Sequence, residues 1–319
     1  MGIRVSVVIP AYERAEWLKK CVLSLRSQTL SPAEFAVFVV DSSPNEVNEK
    51  SMRELAAIVP FPLKCIRKKP EGPGPSRTLG GQQNDSPFIA FLDSDCYVTP
   101  GWLEAGLRVF EGNIGIVQGR VLPDPEQPTK VFTHYLRIEK ESHFYETANI
   151  FYRRETFEEC GGFPADVMPN AERPVGGEDT EAAWTAKRLG WRTAFAPEAL
   201  VYHEVRPINI WDWIFNKRLF RIPGLVGRFP ELRRFMFGKY FYDQAQGYLL
   251  LALFGLALSI LNPLGAALAI PYTFHRAMGR SGTLTGILRI VRVAAYFLQD
   301  SATLLILLGG SVRYRALLL

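Results

Sequence analysis

The sequence predicts an α/β domain built on a mostly parallel sheet, followed by a C-terminal region of hydrophobic and amphipathic helices. Three observations carry that expectation. Short β-branched and aromatic runs alternate with helical patterns through residues 1–205. Acidic residues fall where several of those runs end. From Gln244 to His275 the chain contains no Asp, Glu, Lys or Arg. Alternating strands and helices imply crossover connections, parallel pairing and helices on both faces. In such sheets ligands gather beyond the carboxyl ends of the strands.

"VSVVI" (5–9) reads as a buried strand, after which Ala15, Leu18, Val22 and Leu25 recur at helical spacing. "FAVFVV" (35–40) is a second strand, closed by Asp41, and a polar helix near 45–57 carries Met52, Leu55 and Ala56. "LKCIR" (63–67) is a third strand, and "EGPGPSRTLGGQQ" (71–83) reads as a loop opening into a helix. "FIAFL" (88–92) runs directly into Asp93, Ser94 and Asp95; a helix begins near "PGWLEAGL" (100–107), and "IGIVQG" (114–119) is another strand. Residues 121–175 are irregular, with a strand-like "ANIFYRR" (148–154). "EDTEAAWTAKRLG" (178–190) is a helix, with acids in its first turn and Gly190 at the C′ position. "WRTAFAPEALVYHEV" (191–205) gives one or two short strands.

The net charge is +5, without the stripe of basic and aromatic residues that a nucleic acid groove requires, so no nucleic acid partner is expected. Arg206, Lys217, Arg218, Arg221, Arg228, Arg233, Arg234 and Lys239 concentrate just before the apolar tail. That placement suits anionic lipid headgroups; the alternative is a solvated basic face. The four cysteines form no CxxC pair, which argues against zinc and for a reducing compartment. "RVSVVIP" is too short an apolar run for a signal peptide. A bilayer crossing needs about 20 apolar residues. Residues 244–275 therefore hold one kinked span or, broken at Asn262-Pro263, a re-entrant hairpin. The next segment, roughly 284–310, carries Arg289, Arg292, Tyr296, Gln299, Asp300 and Thr303 as one polar stripe, suited to the membrane interface or to packing on the first helix; the alternative for the tail is two buried helices of a soluble protein. The expected divisions are 1–205, a basic and aromatic linker at 206–243, and a membrane-associated region at 244–319.

Five groups carry chemistry. Asp93 and Asp95 offer hard oxygen ligands for Mg²⁺ or Mn²⁺, which would stabilise a departing diphosphate; alone, they could equally be a solvated turn. Pro10, Tyr12 and Asp41 end strands and suit a ribose or base. "GPGPSRTLGG" supplies Arg77 as a fixed positive charge, but it lacks the lysine of a phosphate-binding loop. Asp179 starts a helix after two glycines and suits a general base, or is simply a good first-turn residue. His203, in "VYHEV", suits a metal ligand or a packed polar side chain.

In this order the groups resemble the family 2 inverting glycosyltransferases, which have the GT-A nucleotide-sugar-binding fold. The resemblance covers about residues 3–205 and rests on "VSVVIPAYER", "VVDSSP", "GPGPSRTLG", "FLDSDC", "TANIFYRR" with "GGF" (161–163), "GGEDTEAAW" and "VYH". It implies a nucleotide-sugar donor held by Pro10, Tyr12, Glu13, Asp41, Arg77 and Ser94. It implies Mn²⁺ or Mg²⁺ on Asp93, Asp95 and His203. It implies Asp179 as the base that deprotonates an acceptor hydroxyl in a single displacement, with Glu178, Asn149, Gly162 and Phe163 on the acceptor side. Thr78 stands where the family usually has asparagine. The Q-x-x-R-W motif of processive polymer synthases is missing, which points to transfer of one or a few sugars. A glycan or lipid-linked acceptor, contact with membrane lipid and a cytoplasmic-face catalytic domain complete the expectation. Two alternatives remain: a haloacid-dehalogenase-type phosphatase with Asp93 as nucleophile, and a non-catalytic membrane-bound nucleotide-sugar binder.

Overall fold

A computed structural model divides the protein into two compact units, Met1–Pro207 and Ile208–Leu319. The structure describes residues 2–129, 132–165, 177–278 and 287–319.

The first unit opens with strand β1 (Val5–Ala11), helix α1 (Ala15–Ser24), β2 (Phe35–Asp41), α2 (Val47–Ala56), β3 (Leu63–Arg67) and α3 (Pro73–Gly81). It continues with β4 (Phe88–Leu92), β5 (Cys96–Val98), α4 (Trp102–Arg108), β6 (Ile114–Pro123), β7 (Thr133–His134), β8 (Asn149–Arg153), α5 (Arg154–Glu159), α6 (Glu178–Arg188), β9 (Arg192–His203) and β10 (Arg206–Pro207). Eight strands form one sheet in the order β3-β2-β1-β4-β8-β6-β9-β5, and β7 pairs with β10 separately. The sheet is mostly parallel: β1 with β2 and β4, β2 with β3, and β6 with β9. The antiparallel contacts come from β8 and β5. β1 and β2 have almost no exposed face, which accounts for their unbroken apolar runs. β4 stays in register with β1 only as far as Val8, so Pro10, which has no N–H to donate, lies where β1 borders β2 alone.

Two elements differ from the sequence reading. The expected glycine-rich loop is itself helix α3, with Pro73 near its start. Its glycines let the helix sit close: a Cβ on Gly80 would collide with Val8, and one on Gly81 with the Phe157 ring. Packing on the sheet therefore outweighs poor helix propensity. β9 is one continuous 12-residue strand. Its pairing with β6 jumps from Gly119↔Ala196 to Arg120↔Leu200, so Pro197 sits in a bulge.

The second unit is helical: α7 (Ile210–Ile214), a 3₁₀ turn at Lys217–Arg221, α8 (Ile222–Arg228), α9 (Gln244–Leu258), a 3₁₀ segment at Pro263–Ala269, α10 (Ile270–Ala277) and α11 (Ile287–Tyr314). Asn262-Pro263 breaks the uncharged run, and α9 has only 15 residues. Among the described residues, the one helix long and apolar enough to cross a membrane, by length and composition, is Arg289–Tyr314. Asp300 of the α11 stripe packs inward: its carboxylate accepts hydrogen bonds from Tyr272 Oη and Arg276 Nε of α10, both at 2.8 Å, while Arg289 is exposed.

Candidate active site

The loop after β1 and the turn after β4 meet the end of β9. The Cys96 N–H donates to the Asp93 carbonyl at 3.1 Å, closing a tight turn that reverses the chain into β5. This turn sends the two aspartates apart instead of onto one centre. Asp93 Oδ1 accepts from Arg77 Nη2 at 2.6 Å. Asp95 Oδ2 accepts from Arg14 Nη1 at 3.1 Å, while its Oδ1 lies 3.6 Å from His203 Nε2. Arg14 also ion-pairs with the buried Glu204. Glu13 and Arg14 both adopt left-handed backbone conformations, φ 57° and 60°, a strained pair of the kind that clusters at functional sites.

The tautomer of His203 follows from its surroundings. Nδ1 is 2.7 Å from the Glu204 carbonyl, which can only accept, so Nδ1 carries the proton. In the neutral imidazole, Nε2 then presents a lone pair toward the Asp95 carboxylate; the imidazolium would instead ion-pair with it. Two electron-rich atoms facing each other are satisfied by a cation between them, and one carboxylate oxygen with one imidazole nitrogen suits a hard divalent ion. The residues therefore fit Mn²⁺ or Mg²⁺ on Asp95 and His203. Cys96 Sγ is also within 4.8 Å of both, and Asp93 is not part of this group. The Cys96 thiol is fully buried, and burial pushes its pKa well up, so it behaves as packing.

Arg77 ties the aspartate turn to α6. Only 6% exposed, it donates to Asp93 and, through Nη1 at 3.2 Å, to Glu178 Oε1. Its guanidinium lies 5.9 Å from the centroid of the Phe163 ring. Burial works against its charge, but Asp93 and Glu178 raise its pKa overall. Among the described residues, its Nε is buried without a hydrogen-bond partner. The next residue, Thr78, both donates to the Phe163 carbonyl (3.0 Å) and accepts from its N–H (2.9 Å). Threonine thus supplies a polar link where the related pattern has asparagine.

Asp179 lies in the first turn of α6, after Gly177 at φ 90°. Gly176, the first glycine of that motif, is outside the described residues. Asp179 Oδ1 accepts the Thr180 N–H at 2.8 Å. Burial first, then the charges of Glu178 and Glu146, hold its carboxyl well above the usual carboxylate range; Arg77 opposes them. A half-buried carboxyl with a raised pKa is a strong base once ionised, so it takes a proton only as the pH approaches that raised value.

On the other side of the sheet centre, Asp41 is fully buried. It accepts from Ser43 Oγ (2.5 Å), Asn48 Nδ2 (3.0 Å) and Arg67 Nη1 (2.8 Å). Its carboxylate is thus held by the protein's own donors, which gives it an organising role. Ser43 and Asn48 pass the order on to the Glu13 N–H and carbonyl. Tyr12 is 53% exposed, and Pro10 and Ser94 are half-buried.

Family comparison agrees with this geometry. The description "Glycosyl transferase family 2" matches residues 6–166, and "Glycosyl transferase family group 2" matches residues 88–298. The chain belongs to glycosyl transferase family 2. This glycosyltransferase is 27% identical to Glycosyltransferase AglE of Haloferax volcanii over 255 residues, covering 71% of this chain and 82% of that protein. It is 27% identical to the pre-mycofactocin glycosyltransferase of Mycobacterium tuberculosis over 231 residues, covering 68% of this chain and 46% of the relative. Its fold resembles that of mannosyltransferase PcManGT from Pyrobaculum calidifontis, solved with GDP-Man and Mn²⁺, at TM-score 0.60 and 17% identity over 99% of this chain and 88% of that one. S. aureus TarS 1–349 with UDP-GlcNAc gives TM-score 0.54 and 16% identity, covering 98% and 93% of the two chains. The fold class is accordingly GT-A.

Three residues expected on the acceptor side are buried in this glycosyltransferase. Asn149 is fully buried; it accepts from Trp102 Nε1 (2.8 Å) and donates to the carbonyls of Arg120 (2.9 Å) and Ala199 (2.7 Å), so it joins α4, β6 and β9. Phe163 is buried against Phe91, Tyr152 and Phe157. Gly162, at φ 70°, is buried with Thr78 close to its α-carbon. Asn149→Ala should cost at least about 2 kcal/mol by orphaning three partners, read as a lower urea midpoint. Acceptor KM of the folded fraction should not move. Arg14, Glu204 and Arg67 are the site residues that sequence reasoning missed. Arg67 was findable: it ends β3 beside Asp41 in register, and the strand-end rule applies to it equally.

Proposed function

We propose that this glycosyltransferase moves a sugar from a nucleotide diphosphate donor to a hydroxyl of a glycan or lipid-linked acceptor at a membrane, by a metal-dependent inverting displacement. The observation that carries the reading is Arg77. One buried guanidinium joins Asp93, at the donor-side turn, to Glu178, the neighbour of Asp179, so donor site and base are positioned together. Asp179 accepts the proton of the acceptor hydroxyl, which attacks the anomeric carbon opposite the leaving diphosphate. No protein nucleophile is needed. That Asp93 is engaged by Arg77 also fits this chemistry better than a phosphatase nucleophile.

Mn²⁺ or Mg²⁺ held by Asp95 and His203 would supply positive charge for the leaving diphosphate. Arg14 orients Asp95 and keeps Glu204 neutralised. The network of Asp41, Ser43, Asn48 and Arg67 sets the loop carrying Tyr12, whose exposed ring offers a face to a base. GDP-Man and UDP-GlcNAc in the two structural neighbours support a nucleotide-sugar donor. The catalytic unit would face the cytoplasm, where nucleotide sugars are made, with the acceptor at the membrane surface.

The reading is tested with a panel of nucleotide sugars with and without Mn²⁺, scored by calorimetric binding and by donor hydrolysis or transfer. His203→Ala should weaken Mn²⁺-dependent nucleotide binding by at least about tenfold, or about 1.4 kcal/mol. Metal-independent binding in the wild type would remove the metal from the mechanism. Tight binding with no turnover of any donor would instead favour a non-catalytic binder.

A further inference from the structure

We infer that the second unit enters one leaflet of an anionic bilayer as a re-entrant hairpin, formed by α9 and the Pro263–Ala277 return limb, and that α11 does not cross. The inference rests on the membrane-associated reading above and specifies its topology.

The two limbs begin and end at the same level. Tyr248, in the first turns of α9, touches His275, near the end of α10, with ring centroids 5.6 Å apart. Asp243 caps α9 at this base, and Arg276 pairs with Asp300 there. Between the two ends the chain has no charged side chain. At the opposite end, Ile260, Leu261 and Leu264 are 86%, 85% and 80% exposed. The limbs are pressed together: a Cβ on Gly255 would collide with Leu268 and with the Gly265 carbonyl. A helix of 15 residues reaches about 22 Å, short of a hydrocarbon core of about 30 Å. A polar base, an apolar tip and limited reach describe insertion and return on one side.

The tip is also built for a place without water. Every N–H from Ser259 to Gly265 has an internal acceptor. Ser259 donates to Gly255 O, Ile260 to Ala257 O, Leu261 and Asn262 to Leu258 O, and Gly265 to Asn262 O. Leu264 donates to Asn262 Oδ1, and Pro263 has no N–H. A turn in water has no need of such completeness; irregular backbone in hydrocarbon does.

α11 has the length to span but not the surroundings. Trp213 contacts Tyr296 and Gln299, and Phe220 contacts Tyr314. A Cβ on Gly310 would strike the Phe220 carbonyl. The segment 213–220 therefore runs alongside most of α11, and it carries the exposed Lys217 and Arg218. Crossing would draw both cations into hydrocarbon, where a charged side chain is costly. The exposed residues Val291, Leu298, Leu305 and Val312 recur every seventh position, an apolar seam suited to lying along an interface. The nearby basic side chains match anionic headgroups.

The test uses the full chain with a C-terminal epitope tag, in sealed inside-out vesicles from expressing bacteria, whose lipids are phosphatidylethanolamine and anionic phosphatidylglycerol. The wild type should float with the vesicles, and external trypsin should remove the tag without detergent. Leu261→Glu with Leu264→Glu should lose at least about tenfold in floated fraction while melting like the wild type in detergent, because both positions are exposed. A tag protected until detergent is added would show that α11 crosses. A floating double variant would show that the tip does not insert. Either result overturns this inference alone; a wild type that does not float overturns the membrane reading with it.

Discussion

Asp179→Asn should lower kcat by about 10²–10⁴-fold, the usual contribution of a positioned base, with donor affinity unchanged. Wild-type turnover would remove Asp179 from that role. The same substitution should stabilise the fold at neutral pH. Burial, Glu178 and Glu146 raise the native carboxyl, whereas an unfolded aspartate ionises near about 3.9. Between these values the native state holds a proton that the unfolded chain has released. Wild-type stability therefore falls as pH rises through the window. Asparagine cannot ionise, so the variant's advantage is absent below about pH 4, grows through the window and is complete above the raised pKa. Every tenfold difference in proton affinity between the native and unfolded carboxyl is worth about 1.4 kcal/mol, and a kcal/mol moves Tm by roughly 2–4 °C in a domain of this size. Melting curves at both ends of the window check it, and equal differences at the two pH values would contradict a raised carboxyl. The acid limb of kcat/KM in the wild type should likewise lie above the ordinary carboxylate range.

Arg77→Met should be the most damaging single change to the first unit, at about 3–5 kcal/mol, because removing one member of a buried ion pair leaves its partners uncompensated. Glu178, almost without solvent contact, bears most of that cost. Adding Glu178→Gln should recover part of it, and denaturant titration of the four-member cycle measures the coupling. Strict additivity would mean that the pair contributes packing but no electrostatic stabilisation. Arg77→Lys should behave more like methionine than like arginine, since a single ammonium cannot span both carboxylates.

Much of this was readable before the fold was known. Buried strands leave continuous apolar runs, and their carboxyl ends were marked by Asp41, Asp93 and, in β9, His203. These are local signals with one physical cause. What the sequence did not show depends on side-chain direction across distant segments. Asp93 and Asp95 look equivalent until the turn places one on Arg77 and the other beside His203. Asn149 looks like a polar residue near the site until its three buried partners appear. α3 reads as a loop because glycine disfavours helix, and only contact with Val8 and Phe157 explains its composition. Arg14 closes the run "VSVVIPAYER", yet its pairing with Asp95 and Glu204, made from a left-handed backbone at Glu13 and Arg14, is visible only in the fold.

The hydrogen-bonded pairing of β5 with β9 places Cys96 opposite His203, and this has a consequence for how the enzyme can diversify. The gap between Asp95 and His203 is set by neighbouring positions of a two-strand ladder, and the start of the β6–β8 connection buttresses it. The Asp124 N–H donates to the His203 carbonyl at 2.8 Å, Tyr97 of β5 donates to Asp124 Oδ1 at 2.9 Å, and Gln127 Oε1 accepts the Val205 N–H. A loop exchanged here, by evolution or by grafting, must therefore keep Asp124 and Gln127. Asp124→Ala should weaken metal-dependent donor binding although the residue lies outside the metal site.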